Sequence, residues 1–252
     1  VDYMGFEDAL VYLSLSEGFK SGAFNSIAPD AEQAGKPINP EFATQIELGL
    51  KSQWLDDRLR VNAVLFTIDY RDLQVFQTTQ DLRVVVTNAG EATSQGVELE
   101  VIARPLQGLD LSASYSYLDA TYDTYINSGE DFSGNRLQRA PKNAYSLSAS
   151  YALALADQGE LMFRVDYVSQ SKVYFGASNS ELQAAKGYEL INARVAFEPE
   201  NGSWELALWG KNLTDEQYAV FKNDLTSLGS NTTVDILGDP RTFGLTLSWN
   251  MQ

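Results

Sequence analysis

Two pairs of carboxylates are close enough along the chain to raise the question of acid–base catalysis. Asp56 and Asp57 are adjacent, and Glu98 and Glu100 are separated by a single residue; paired carboxyl groups act as acid and base in many hydrolases. However, the first pair lies in a short polar turn, where Asp is favoured for backbone reasons. In an extended chain Glu98 and Glu100 point to one side, where we expect them to meet Arg or Lys of neighbouring elements. Neither pair therefore predicts an enzyme.

Other common catalytic and metal-binding groups are missing. The chain contains no Cys and no His, which excludes disulfides, thiolate–metal sites, imidazole-based triads and His-ligated zinc or haem within it. Oxygen-rich tracts occur at Asp119–Asp131 and Asp224–Asp239, but neither has the Asp-x-Asp-x-Asp-Gly spacing of a calcium loop. We therefore expect no catalytic residue, no cofactor and no metal site.

Charge and hydrophobicity narrow the choice of protein class. The formal net charge is −16 at pH 7, and an acidic surface repels phosphate backbones, so nucleic acid is not an expected partner. Hydrophobic residues make up 44% of the chain, too many for a disordered protein. Yet no apolar run approaches the ~18–20 residues of a membrane-spanning helix.

Alternation of apolar and polar residues dominates the sequence. Leu109, Leu111 and Ala113 share one side of an extended chain, and Ser112 and Ser114 share the other. Long strands with one apolar and one polar face are typical of a membrane barrel, in which ~9–11 residues of each strand cross the hydrocarbon. Such runs predict ten strands, at about residues 9–17, 42–53, 59–76, 84–104, 109–124, 142–154, 160–175, 187–198, 203–219 and 241–251.

Short and long connections alternate between these strands. The short ones are Leu55–Arg58, Pro105–Gly108, Ala156–Gly159 and Glu200–Ser203. The others are Gly18–Glu41, Gln77–Arg83, Tyr125–Pro141, Gly176–Lys186 and Asn223–Pro240, all of them long except Gln77–Arg83. Because antiparallel hairpins return the chain to the same side, the short turns should lie at one end and the loops at the other. This asymmetry favours an outer-membrane barrel over a soluble β-sandwich binding module, which alternation alone would also allow.

Six segments, in order along nearly the whole chain, resemble the C-terminal part of the barrel of TonB-dependent outer-membrane receptors. They are Ser16–Asn25, Asn39–Ser52, Asn88–Glu100, Ala140–Asn143, Lys211–Tyr218 and Gly238–Trp249. Within the second segment Glu47 and Lys51 stand on the inward face of the predicted strand. Lys211–Tyr218 either folds over a ligand or braces the end of a strand, and we expect the brace.

The resemblance implies an all-β fold, a transmembrane antiparallel up-and-down barrel. Residues 1–252 would supply its C-terminal part, the last ten of 22 strands, without the N-terminal plug and the first barrel strands. Two strand edges should then be unpaired, at about Leu10–Ser16 and Phe243–Trp249. The family's chains normally end on an aromatic residue, and here Met251 takes that position, followed by Gln252.

The implied function is active transport across the outer membrane of a Gram-negative bacterium. The cargo is a scarce nutrient, usually a ferric siderophore or similar chelate. The implied partners are outer-membrane lipid, the iron chelate, and TonB acting through a plug region not in this chain. An alternative is a self-standing ten-stranded outer-membrane protein, either an adhesin or a protease-type enzyme; the latter relies on His, which this chain lacks.

Aromatic and basic residues gather where predicted strands meet the long loops. Two interpretations compete: a girdle of aromatic rings at the membrane interface, or a ligand vestibule in which rings and cations suit an anionic, aromatic ferric chelate. The candidate vestibule residues are Tyr122, Tyr125, Arg139, Lys172, Tyr174 and Phe175.

Overall fold

One antiparallel sheet forms the body of the protein. The computed structural model describes residues 2–6, 8–25, 31–78, 84–127, 129–225 and 232–250. Eleven strands lie side by side in the order in which they follow along the chain, an up-and-down arrangement. They are β1 (Asp2–Phe6), β2 (Ala9–Lys20), β3 (Glu41–Trp54), β4 (Leu59–Thr78), β5 (Val84–Leu106), β6 (Leu109–Thr124), β7 (Asn143–Ala154), β8 (Glu160–Gln170), β9 (Tyr188–Glu198), β10 (Trp204–Lys211) and β11 (Thr242–Trp249).

The ten predicted strands are confirmed, with three corrections, one of which is that the strand predicted at 160–175 ends at Gln170. β1 was not predicted, because residues 2–6 carry no clear alternation. The strand predicted at 203–219 ends at Lys211, because Asn212 adopts a positive φ of 48° that turns the chain out of the sheet. Ala219–Asp224 instead pairs with Thr233–Leu237 in a separate hairpin.

Short elements accompany the sheet, and most of them lie at its loop end. Helical structure in the described residues is limited to a four-residue helix, Ala31–Ala34, and two 3₁₀ turns, Ala156–Gln158 and Glu181–Gln183. Among these residues no helix has the length and apolar character needed to cross a bilayer. The remaining short pairs are Ala23–Phe24 with Pro37–Ile38, Ile126–Asn127 with Glu130–Asp131, and Val173–Tyr174 with Ala184–Ala185.

The apolar face of the sheet is exposed. Leu147 lies opposite Ala113 on β6 and Tyr167 on β8, and 46% of its surface is accessible. Near the end of the sheet Leu208 and Leu245 are paired and are 60% and 62% exposed. A continuous exposed surface of large aliphatic side chains is what a bilayer covers and what water does not tolerate.

The opposite face is polar and carries its own ion pairs. Arg164 and Asp166, two residues apart on β8, are joined at 2.8 Å. Across neighbouring strands, Arg194 on β9 pairs with Glu205 on β10 at 2.5 Å. This face is therefore suited to a wet barrel interior, as the alternation predicts.

The short turns lie together at one end of the sheet, as predicted. The Arg104 N–H donates to the Arg58 carbonyl at 2.7 Å, and the Ala152 N–H donates to the Gly108 carbonyl at 2.8 Å. At Gly108 φ is +81°, and an added Cβ would lie 2.4 Å from the Ala152 carbonyl oxygen. That turn therefore requires glycine.

The sheet is open. β1 and β11 are its two edge strands, so the predicted edge at Phe243–Trp249 is confirmed. The predicted edge at Leu10–Ser16 is partly wrong, because β1 covers its beginning by pairing Asp2 with Tyr12. In the described part of the chain, residues 14–20 of β2 have ladder partners on β3 only.

Candidate functional site

The long connections fold into a cap at the end of the sheet opposite the turns. Its described parts are loop 1 (residues 21–25 and 31–40), loop 2 (residues 125–127 and 129–142), loop 3 (residues 171–187), loop 4 (residues 212–225 and 232–241) and the projecting ends of β4 and β5. Loop 1 is tied to those strand ends by amide side chains. Gln74 donates to the carbonyls of Ser21 and Asn39 at 3.1 and 3.0 Å, and Asn88 donates to the Asn39 carbonyl at 3.0 Å.

Two predicted vestibule residues form the hydrophobic core of this cap. Tyr122 and Tyr125 are only 4% and 3% exposed, and they cluster with Ala92 and Ala177. Their ring centres are 4.8 Å apart, and Phe132 packs against Tyr125 at 5.6 Å. Burial raises the pKa of the Tyr125 phenol. Neither ring belongs to a membrane girdle, so that interpretation is wrong for this pair, and a ligand reaches them only if the cap opens.

Rings that fit the girdle lie elsewhere, on the apolar face. Tyr115 and Tyr145 stack across β6 and β7 with centres 4.8 Å apart. Near the turn end Phe197 and Trp204 lie 5.5 Å apart. Their alternation with polar residues was visible in the sequence, but their height in the membrane depends on strand register, which only the structure supplies.

Loops 2 and 3 are joined through an asparagine that the sequence analysis did not single out. The Asn179 side chain accepts a hydrogen bond from the Arg136 N–H at 2.7 Å and donates to the Arg136 carbonyl at 3.0 Å. The Asn135 side chain in turn donates to the Ala177 carbonyl at 2.9 Å. Hydrogen bonds from polar side chains thus hold these two loops together, as backbone hydrogen bonds hold neighbouring strands together.

A second contact unites loops 2, 3 and 4. Arg139 of loop 2 lies over the rings of Phe175 of loop 3 and Phe221 of loop 4, and the two rings meet edge to face with centres 5.5 Å apart. Arg139 and Phe175 were both predicted site residues, and the structure brings them together. Phe221 was missed, because nothing in its local sequence indicates which loop it contacts.

Lys172 and Tyr174 form a neighbouring pair. The Lys172 ammonium lies 4.7 Å from the centre of the Tyr174 ring and is ion-paired with Glu181. The hydrogen bond to the Glu181 carboxylate raises the pKa of Lys172. Backbone pairing connects them to Arg139, whose N–H donates to the Tyr174 carbonyl at 2.8 Å. Arg139, Lys172, Tyr174 and Phe175 thus lie together at the boundary of loops 2 and 3.

The segment Lys211–Tyr218 acts as a brace, as predicted. Asn212 is 3% exposed, and its side chain donates to the carbonyls of Glu216 and Asp239 at 2.9 and 3.1 Å. Its side-chain oxygen accepts from the Glu216 N–H at 2.9 Å. Since Glu216 and Asp239 lie near the two ends of loop 4, Asn212 holds those ends together.

The paired carboxylates have structural surroundings. Asp56 and Asp57 adopt positive φ values of 55° and 63° in their turn, which Asp tolerates better than most residues. Glu100 accepts a hydrogen bond from the Asn62 side chain at 2.7 Å. Within the described residues no group of three or more acidic side chains is arranged to hold a metal ion.

Comparison with known proteins identifies the family. The family described as "TonB dependent receptor-like, beta-barrel" matches residues 1–213. Among curated proteins, the ferric-pyoverdine M114 receptor PbuA of Pseudomonas sp. strain M114 is 26% identical over 246 residues, which cover 94% of this chain and 27% of that protein. The ferrioxamine B receptor of Salmonella typhimurium is 26% identical over 222 residues, covering 85% of this chain and 29% of the receptor.

Solved structures share the fold. The ferric yersiniabactin uptake receptor FyuA from Yersinia pestis superposes with a TM-score of 0.81 at 23% identity, covering 98% of this chain and 35% of that one. The ferric preacinetobactin receptor BauA from Acinetobacter baumannii gives a TM-score of 0.73 at 22% identity, covering 98% and 35% of the two chains. The chain thus spans 27 to 35% of the length of these four proteins. The chain belongs to the TonB-dependent receptor family of outer-membrane β-barrels, which are transport receptors of Gram-negative bacteria.

Proposed function

We propose that these residues are part of a receptor that imports a chelated metal, a ferric siderophore or similar complex, in a TonB-dependent step. The observation that carries the proposal is the difference between the two ends of the sheet. Tight turns close one end, while loops 2, 3 and 4 interlock at the other around Tyr122, Arg139 and Asn179. An ordered cap at a single end is suited to capturing a ligand from the medium.

The names of the relatives support an iron chelate as the cargo. The ferric-pyoverdine and ferrioxamine B receptors are named for ferric complexes of siderophores. The sheet has exposed apolar side chains on one face and ion pairs on the other, which supports outer-membrane lipid outside and a wet passage inside.

We extend the proposal to architecture. Residues 1–252 form the C-terminal part of a 22-stranded barrel, and an N-terminal plug through which TonB acts, with the first barrel strands, precedes them. The open edges of β1, of residues 14–20 of β2 and of β11 support this, because an unpaired strand edge in lipid costs several kcal/mol per exposed backbone group.

Within the cap we assign the vestibule to Arg139, Lys172, Tyr174 and Phe175. Their cationic and aromatic groups suit an anionic aromatic chelate. Tyr122 and Tyr125 belong to the hydrophobic core of the same cap.

The test is uptake by whole cells. The intact receptor is expressed in an iron-starved Gram-negative strain that lacks its own siderophore receptors, and radioactive iron is offered as a panel of ferric siderophores. We expect at least one complex to accumulate, and accumulation to stop when TonB is deleted. Uptake that continues without TonB, or no uptake of any complex by a correctly inserted receptor, contradicts the proposal.

A further inference from the structure

Arg139 is held among aromatic rings without an acidic partner. Its guanidinium carbon lies 5.6 Å from the centre of the Phe175 ring and 5.7 Å from that of Phe221. The side chain is exposed. Among the described residues no carboxylate forms an ion pair with Arg139, although Arg71, Arg104, Arg164, Arg194 and Arg241 all have one.

The backbone holds Arg139 in an unusual conformation. Its φ is +56°, in the left-handed region that few residues other than glycine, Asn and Asp adopt. Its N–H donates to the Tyr174 carbonyl at 2.8 Å, which ties this conformation to loop 3. A non-glycine residue kept in such a conformation by its surroundings is a reason to look for a role for its side chain.

The surroundings leave the guanidinium able to bind an anion. An aromatic ring attracts the charge through its quadrupole but accepts no hydrogen bond in the guanidinium plane. The N–H donors of Arg139 therefore stay available, and their fork matches the two oxygens of a carboxylate. Two cations of the neighbouring loops differ, since Lys172 is paired with Glu181 and Lys222 with Asp235.

The positive charge of the Arg139 guanidinium contrasts with the net negative charge of the chain. The chain carries a net charge of −16 and would repel an anionic ligand over most of its surface. An unpaired guanidinium held by three loops provides one point at which an anion is attracted and oriented. Two flanking rings also restrict the side chain before the ligand arrives, which reduces the entropy lost on binding.

We propose that Arg139, seated on Phe175 and Phe221, is the anchor for a carboxylate group of the ligand, so that the receptor selects chelates bearing a free carboxylate. The selection of chelates rests on the proposed function above. The binding of a carboxylate does not, and it is measurable without transport.

The experiment uses the intact receptor in detergent, with citrate as the probe and triethyl citrate as its uncharged match. Saturation-transfer NMR gives the dissociation constant of each. We expect citrate to bind the unchanged receptor and Arg139→Gln to weaken it by about tenfold, the loss of one charge-assisted bidentate contact. Arg241→Gln is the matched control, because Arg241 lies in the same cap but is already paired with Asp215, and it should leave citrate affinity unchanged.

Two further variants separate charge from geometry. Arg139→Lys keeps the charge but not the fork, and Phe221→Leu keeps the fork but removes one ring; both should weaken citrate by less than Arg139→Gln. Citrate that fails to bind, binds equally to Arg139→Gln, or binds no better than its triethyl ester overturns the proposal. If citrate binding behaves as expected while no ferric complex is taken up by cells, the proposed function fails and the carboxylate site stands.

Discussion

Leu147 and Ser148 are adjacent on β7 but lie on opposite faces of the sheet. Leu147 is paired across the strands with Tyr167, and Ser148 with Asp166. One side chain thus belongs to the exposed apolar surface, 46% accessible for Leu147, and the other to the polar face that carries the Arg164–Asp166 ion pair.

This relationship predicts unequal costs for the same substitution. Leu147→Arg should lower the free energy of unfolding by about 2–4 kcal/mol, because it places a charge on the lipid-facing side of the sheet. Ser148→Arg should cost less, since its guanidinium faces the Asp166 carboxylate in a wet interior. Unfolding titrations of the receptor in lipid vesicles measure both, and equal losses would contradict the assignment of the lipid-facing side.

The hydrogen bonds between Asn179 and Arg136 should contribute to the free energy needed to separate loops 2 and 3. Asn179→Gly removes both hydrogen bonds to the Arg136 backbone but tolerates the φ of +53°. We expect the opening free energy of the loops to fall by about 1–2 kcal/mol. Asn179→Ala should cost about 1 kcal/mol more, because alanine is strained at that φ.

Hydrogen exchange in loops 2 and 3 reports this opening. The amide of Arg136 should exchange about tenfold faster in Asn179→Gly, while amides of the short turns keep their rates. Ser178→Ala is a suitable control because Ser178 is adjacent and exposed. Unchanged exchange at Arg136 in Asn179→Gly would show that other contacts hold the loops together.

Strand positions followed from the sequence because the membrane imposes a simple rule. Each strand must present alternate residues to lipid, so Leu109, Leu111 and Ala113 could be assigned to one face without knowing their partners. β1 was not predicted because its residues do not alternate between apolar and polar. The turn at Pro105–Gly108 was predicted as one of the short connections between such strands.

The interior of the cap did not follow from the sequence. Arg136 and Asn179 are 43 residues apart, and Phe221 meets Arg139 from a third loop. Such contacts depend on how loops pack after the strands have formed, and no periodic pattern records them. Tyr122 and Tyr125 were predicted to line a vestibule, and their burial in a loop core was visible only once loop 3 was placed.

A single substitution at Asn212 should destabilise the receptor substantially. Asn212→Asp keeps an acceptor for the Glu216 N–H but loses both donors, to the Glu216 and Asp239 carbonyls. Since Asn212 is buried, we expect a loss of about 2–3 kcal/mol, the cost of unsatisfied groups and a buried charge.

Thermal unfolding in detergent measures the effect of this substitution. Thr214→Ala is the control, because Thr214 is exposed in the same segment and should leave the midpoint unchanged. A similar midpoint for Asn212→Asp and the unchanged receptor would mean that the ends of loop 4 are held without the Asn212 side chain.

The two ends of the sheet predict opposite tolerance to change in the intact receptor. Deleting residues 126–136 removes the link between Arg136 and Asn179, and deleting residues 226–236 removes most of the strand that pairs with Ala219–Asp224, although residues 226–231 lie outside the described part. Both deletions should impair binding of the transported chelate while the barrel still assembles, because its strands remain.

Inserting residues between Gln107 and Gly108 should leave binding unchanged, since that turn lies at the opposite end. Equilibrium binding to membrane-inserted receptor measures all three variants. If the insertion abolished binding and the deletions did not, ligand capture would belong to the turn end.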